Sequence, residues 1–198
     1  MHATDEGRRP ERHVTILDRY RPHESWFAHA PNGIHGIGHV TRVLVWADRL
    51  AAVLLAKGAS VDADVVRWAA IIHDVGRLND GRDPEHGDRS ARWLLDNARR
   101  LPAELTEEQL ACIRYCCFWH VPPDRVAPEL TSELVCLKDA DGLDRVRIAD
   151  LDVRHLRTAE ARALQADARR LFEAMQSRGD TDPWEAGRQA AARMGLWR

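Results

Sequence analysis

The sequence predicts an all-α fold, a single-domain bundle of seven to eight helices. Three observations carry that prediction. Apolar residues recur three and four apart through most of the chain, no run alternates with period two, and Gly, Pro and Asp punctuate the periodic segments at helical lengths. At 198 residues, with 44% hydrophobic and 30% charged content, the chain fits one globular domain.

Residues 1–12 are polar and carry Gly7 and Pro10, so a disordered lead is expected there, with the domain over 13–198. A short helix is expected from Val14 past Tyr20 towards Trp26, before the breaker Pro31-Asn32-Gly33. After Gly36 and Gly38, Val40, Val43, Leu44, Ala47, Leu50, Ala51 and Leu54 predict a helix that stops at Gly58. Ser60 can cap the next, which carries Val65, Val66, Trp68, Ala69 and Ile72. Arg77 to Glu85 reads as a loop, and His86 opens a helix to about Leu101. Thr106-Glu107-Glu108-Gln109 is a capping box for a helix reaching His120, ended by Pro122-Pro123. A helix over Glu129 to Lys138 should feed Asp139-Ala-Asp141-Gly. Glu160 to Ser177 shows one apolar face, and Asp182-Pro183 marks a last helix start.

A formal net charge of −2 gives no reason to expect nucleic acid or an acidic membrane as partner, and Arg99-Arg100 and Arg169-Arg170 read as solvated faces. No apolar stretch approaches the roughly 20 residues that span a bilayer, and the polar start with Asp5 and Glu6 resembles no signal peptide. Cys112, Cys116 and Cys117 crowd one helical segment and Cys136 stands apart, a pattern of reduced thiols in a cytoplasmic protein. Cys116 or Cys117 with His120 has the spacing of a thiolate–imidazole pair, but thiols in an apolar helix are ordinarily inert core. No feature of the pattern specifies an oligomeric state.

The chemistry centres on His73–Asp74, an imidazole and a carboxylate where a buried helix should end at Gly76. With His35 and His39 upstream, His86 and His120 downstream, and Asp139 and Asp141 beyond, the chain offers a nitrogen and oxygen donor set. That set suits Zn, Fe, Mn, Co or Ni better than Mg or Ca. Taken singly, these residues also fit structural roles: His120 a hydrogen-bonded core histidine, Asp139-Ala-Asp141-Gly a helix cap. The loop after Gly76, with Arg77, Asn79, Asp80, Arg82 and Asp83, could grip phosphate or sugar hydroxyls.

The joint order resembles the HD-domain metal-dependent phosphohydrolase superfamily, over roughly residues 33–146. The likeness lies in His35-Gly-Ile-Gly-His39-Val-Thr-Arg-Val43, Ile72-His73-Asp74-Val75-Gly76, Asp83-Pro-Glu-His86-Gly and Lys138-Asp139-Ala-Asp141-Gly-Leu-Asp144-Arg145. The resemblance implies a divalent metal held by His39, His73, Asp74 and Asp139. Some members hold a second metal bridged by the Asp of the pair, which here would draw on His86, His120 and His35; in single-metal members such histidines contact substrate or the attacking water. One ion or two are therefore both open. The tail of helices over 151–198 lies outside the resemblance.

The implied reaction is hydrolysis of a nucleotide or other small phosphoester or phosphoanhydride by metal-activated water. Asp74 would orient the water, His35 or His86 would move a proton, and Arg77, Lys138 and Arg42 would hold phosphate beside Asn79 and Asp80. Neutral histidine ligands imply metal loss below about pH 6. Two further readings stand beside it: a di-iron oxygenase of the same fold, and a non-catalytic ligand-binding domain.

Overall fold

A computed structural model describes residues 15–177 and 181–197; the expected lead over 1–12 and Val14 lie outside the described residues. Among the described residues there are eight α-helices and no strand: α1 (Ile37–Ala56), α2 (Ala63–Ile72), α3 (His86–Asn97), α4 (Glu107–Trp119), α5 (Ser132–Asp144), α6 (Ala159–Ala163), α7 (Gln165–Gln176) and α8 (Pro183–Arg193). The first expected helix resolves into two 3₁₀ turns, Ile16–Tyr20 and Glu24–Trp26. No helix among them is long and apolar enough to cross a membrane.

The bundle is organised around α1, which packs on α2, α5 and α8. Every residue from His39 to Asp48 in α1 is buried, the apolar ones in the core and Arg42 and Asp48 in ion pairs with Asp144 and Arg67. Leu44, Leu50, Ile71, Ile72, Ile113, Leu134 and Leu137 fill the surrounding core; each such side chain contributes about 1.5–3 kcal/mol on burial. Trp46 and Trp68 are fully enclosed, and Trp68 stacks at a tilt on Tyr20 at 4.9 Å. α8 reaches α1 closely because Gly187 has no side chain: a Cβ there would lie 2.5 Å from Thr41 Cγ2.

Local chemistry fixes the ends that matter for the site. Asp62, rather than Ser60, caps α2, its Oδ1 accepting from the amides of Asp64 and Val65. The helix ends at Ile72, so His73 and Asp74 leave it together on a buried turn. Gly76 closes that turn against α3, where a Cβ would lie 2.6 Å from the Ser90 amide nitrogen. α3 and α4 approach at Gly87, where a Cβ would lie 2.6 Å from the Cys117 carbonyl oxygen. That contact sets His86, the first residue of α3, beside His120 at the end of α4. The expected capping box opens α4: Thr106 Oγ1 accepts from the Gln109 amide and Gln109 Oε1 from the Thr106 amide.

Further boundaries differ from expectation, and one has consequences for the site. α5 begins at Ser132 and runs through Asp139-Ala-Asp141-Gly to Asp144 instead of stopping at Lys138. Asp139 and Asp141 are therefore about 200° apart around one helix and face opposite sides. The helix expected over Glu160 to Ser177 is broken at Leu164 into α6 and α7. Thr158 caps α6 and is itself held by Asp139, so a tie from α5 fixes the direction of that short helix.

Candidate metal centre

The turn after α2 delivers His73 and Asp74 to the bundle interior, where α1, α3, α4 and α5 each supply a further donor. His39 Nε2 lies 3.1 Å from His73 Nε2, 3.3 Å from Asp74 Oδ2 and 3.5 Å from Asp141 Oδ1. His73 Nε2 lies 3.8 Å from Asp74 Oδ2 and 4.0 Å from Asp141 Oδ1. On the other side of Asp74, its Oδ1 lies 3.0 Å from His86 Nε2 and 3.7 Å from His120 Nε2, and those two nitrogens are 2.8 Å apart. Two ligands about 2.1 Å from one ion, at tetrahedral or octahedral angles, stand about 3.0–3.4 Å apart. The distances from His39 Nε2 are close to that spacing, and those from His73 Nε2 to the two carboxylates are longer.

The hydrogen bonds behind these rings decide which nitrogen carries the proton. His39 Nδ1 donates to Asp144 Oδ2 at 2.7 Å, His73 Nδ1 to the Ala70 carbonyl at 2.9 Å and His120 Nδ1 to the Cys117 carbonyl at 2.6 Å. His86 Nδ1 donates to the Asp83 carbonyl. A carbonyl oxygen only accepts, so these rings are Nδ1–H tautomers and their Nε2 lone pairs point at one another. Lone pairs facing at about 3 Å repel unless a cation lies between them. Asp74 Oδ1 is buried and makes no hydrogen bond with proper geometry despite its two histidine neighbours. Facing lone pairs and an orphaned buried carboxylate oxygen both fit a divalent cation.

The electrostatics favour the ligating protonation states. Burial pushes the His73 imidazolium down to about 3, so the ring is neutral near neutral pH. Burial alone would raise Asp74, but the surrounding imidazoles of His73, His120, His35 and His39 outweigh it and hold the carboxyl well below the usual range. Asp141 is likewise lowered against its burial, by His39, His73 and Arg147. Asp144, fully buried, sits at about 2 because the Arg42 guanidinium and the His39 bond overcome desolvation. Arg42 grips both oxygens of Asp144, Nε to Oδ1 at 2.5 Å and Nη2 to Oδ2 at 3.0 Å.

A family model described as HD domain matches residues 36–146, more than half of the chain. The chain belongs to the HD domain family. No curated protein and no solved structure matched it significantly. HD domains are mostly metal-dependent hydrolases, and the matched segment spans α1 to α5 and so every donor in the cluster except His35. Among the described residues, the groupings of His and Asp that could hold an ion are His35–His39–Asp74, His39–His73–Asp141 and His73–Asp74–His120.

Of the residues singled out from the sequence, this HD domain brings together His35, His39, His73, Asp74, His86 and His120. It does not bring Asp139. That carboxylate accepts from the Arg157 amide at 2.7 Å, the Thr158 amide at 2.8 Å and the Thr158 hydroxyl at 2.7 Å, a structural tie on the opposite face of α5. Asp141 stands in its place. Lys138 is also redirected: its Nζ donates to the Pro122 carbonyl and to Asp124 Oδ1, both at 2.7 Å, and clamps the turn after α4. Arg42 lies behind His39, on Asp144, though one edge of it lines a neighbouring cavity. Arg77 Nε donates to Asp74 Oδ2 at 3.1 Å, beside the cluster. Asn79 Oδ1 accepts from the Gly81 amide in the exposed loop, and Asp80 lines the cavity.

Sequence reasoning missed Asp144 as the partner of His39, and Arg147 altogether. Arg147 Nη2 lies 3.0 Å from His35 Nδ1, and its Nε donates to the Ile34 carbonyl at 3.0 Å. The spacing Asp141, Asp144, Arg147, each three apart, was the available signal, legible only once α5 is known to continue. Cys116, Cys117 and Cys136 lie in the core and Cys112 is half-buried; the hydrogen bond to Cys112 and burial raise Cys116, and burial raises Cys117, so neither Cys116 nor Cys117 serves as a thiolate nucleophile beside His120.

Proposed function

We propose that this HD domain is a metal-dependent phosphohydrolase acting on a nucleotide or similar small phosphoester or phosphoanhydride. The observation that carries the reading is the set of four histidines whose Nδ1–H groups are all committed to oxygen acceptors while their Nε2 atoms converge around Asp74. His39, His73, Asp74 Oδ2 and Asp141 would hold a first divalent ion; Asp74 Oδ1, His86 and His120 would hold a second. A divalent ion there supplies Lewis acidity and lowers the pKa of its bound water towards about 7.

The remaining steps belong to the chain. Asp74, kept ionised, orients the attacking water by accepting its hydrogen bond. Arg147 and Arg77, on either side of the cluster, balance phosphate charge as it grows on the oxygens. His35 is assigned the proton: burial lowers its pKa, so its neutral ring accepts one near neutral pH. His86, with both nitrogens turned to partners, is assigned as a ligand instead.

Phosphate release from a panel of nucleotides, with each of Mn, Fe, Co, Ni and Zn, tests the reading. Release that needs a metal and disappears in His73→Ala is expected; full release after exhaustive chelation overturns it. The placement of Asp74 between two donor groups also favours a second reading, a di-iron centre that activates oxygen. Two irons per chain with oxygen uptake and no phosphate release would select it.

A further inference from the structure

Beside the metal centre lies a cavity of about 450 Å³ that opens onto His39, within the about 300–1,000 Å³ range of small-molecule sites. One wall comes from the matched HD segment, through His39, Arg42 and Gly38. The other comes from α7 and α8, through Phe172, Met175, Gln176, Pro183 and Ala186, all outside the matched residues. We propose that this cavity binds the alcohol portion of a phosphate monoester, a neutral body carrying a planar ring, and that the C-terminal helices α7 and α8 thereby choose the substrate. The proposal rests on the hydrolase reading above and narrows it.

Three observations argue for that class of ligand. First, the cavity adjoins the cluster through His39 and through Arg147, which lies 3.0 Å from His35, so the organic group of a phosphate ester held at the cluster has this space within reach. Second, the wall carries little net charge. Arg42 is neutralised by its two-armed grip on Asp144, Asp80 adds a carboxylate, and Arg147, 3.0 Å from His35, stands at the edge nearest the cluster, where the reacting phosphate is assigned. The two lysines of the chain are committed elsewhere, Lys57 to Glu160 and Lys138 to Asp124. A di- or triphosphate tail in this cavity would lack countercharge, whereas an uncharged body would not. Third, the Phe172 ring and the Met175 thioether give an aromatic and polarisable surface, with Arg42 5.2 Å from the ring centroid. Such a surface suits a planar ring, and Asn32 and Gln176 supply amide donors and acceptors for its hydroxyl or carbonyl groups. In the reaction, water adds to phosphorus, the P–O bond to the alcohol breaks, and the alcohol oxygen leaves with a proton, giving inorganic phosphate and the free alcohol.

The test is calorimetric titration of the full chain with uridine 5′-monophosphate, adenosine 5′-monophosphate, their free nucleosides, glycerol phosphate and tripolyphosphate. The wild type should bind a ring-bearing monophosphate at least tenfold more tightly than glycerol phosphate or tripolyphosphate. Phe172→Ala should weaken the monophosphate and its nucleoside about tenfold or more. Gln176→Trp, at an exposed position, should do the same by filling the cavity, with its melting temperature measured beside the wild type. Unchanged binding in both variants, or a preference for tripolyphosphate or for the ringless ester, would overturn the proposal. Metal-dependent phosphate release that persists alongside such a result would leave the hydrolase reading standing. Cavity binding without phosphate release under any metal would remove that reading and leave the binding site.

Discussion

His39 donates its Nδ1–H to Asp144 Oδ2 at 2.7 Å, joining α1 to the last residue of α5 across the fully buried interior. The carboxylate fixes both the tautomer and the orientation of the ring, and Arg42 fixes the carboxylate in turn. Asp144→Asn removes that anion while nearly keeping its shape. Metal affinity is expected to fall about 10–100-fold, as for other partners that hold a ligating histidine, read as a shift in the midpoint of a chelator competition. A drop in stability of about 3–5 kcal/mol should accompany it, since Arg42 loses its counter-ion inside the core.

Asp139 and Asp141 stand two residues apart on α5 and do different work. Asp141→Asn is expected to lower metal content, because its Oδ1 is 3.5 Å from His39 Nε2. Asp139→Asn should keep the metal and lower the melting temperature, since it disturbs acceptors of the Arg157 and Thr158 amides at a cost of about 1–3 kcal/mol. Elemental analysis and thermal denaturation of the two variants check the contrast, and the reverse pattern would restore Asp139 as the ligand.

Tyr20 gives the fold an alkaline limit. Burial, then the hydrogen bond to Asp64 at 2.5 Å, push its phenol up from 10.0 to about 12. The folded chain therefore holds the proton more tightly than the unfolded one. The resulting stability is complete below about pH 10 and is lost as pH rises through about 12. At about 1.4 kcal/mol per unit the contribution is at most about 2–3 kcal/mol. Denaturant unfolding between pH 8 and 12 should show a decline in the wild type that is shallower in Tyr20→Phe.

Gly187→Ala is expected to destabilise the chain by about 1–3 kcal/mol, because its methyl group would lie 2.5 Å from Thr41 Cγ2 and the Thr41 side chain is held by its hydroxyl bond to the Ile37 carbonyl. Thr41→Ser keeps that bond and removes the methyl, so the double variant should regain most of the loss. Melting temperatures of the two singles and the double decide it.

The histidines were legible in the sequence because their supports were. A strong apolar run led straight to His73–Asp74, and the capping box and Pro122-Pro123 bracketed the helix that ends at His120. The choice between Asp139 and Asp141 was not legible, because local propensity misled. Asp139-Ala-Asp141-Gly reads as a helix end, yet α5 continues through it. Asp139 is satisfied by the Arg157–Thr158 turn, and Gly142 admits the Leu156 side chain, which a Cβ would meet at 3.0 Å. Tertiary partners thus override a weak local preference, and the facing of every residue after Lys138 changes with it. The cavity was equally hidden: the apolar faces of α7 and α8 announce that they pack, not that they stop short of α1 and leave a space beside His39.

The most direct measurement is the transition-metal content of the chain purified without chelator, beside its His73→Ala variant. One or two ions per chain in the wild type, lost in the variant while its helical content is retained, is the result predicted by converging neutral imidazoles around Asp74. A wild-type chain that holds no divalent ion, even after incubation with Mn, Fe, Co, Ni and Zn in turn, would contradict it.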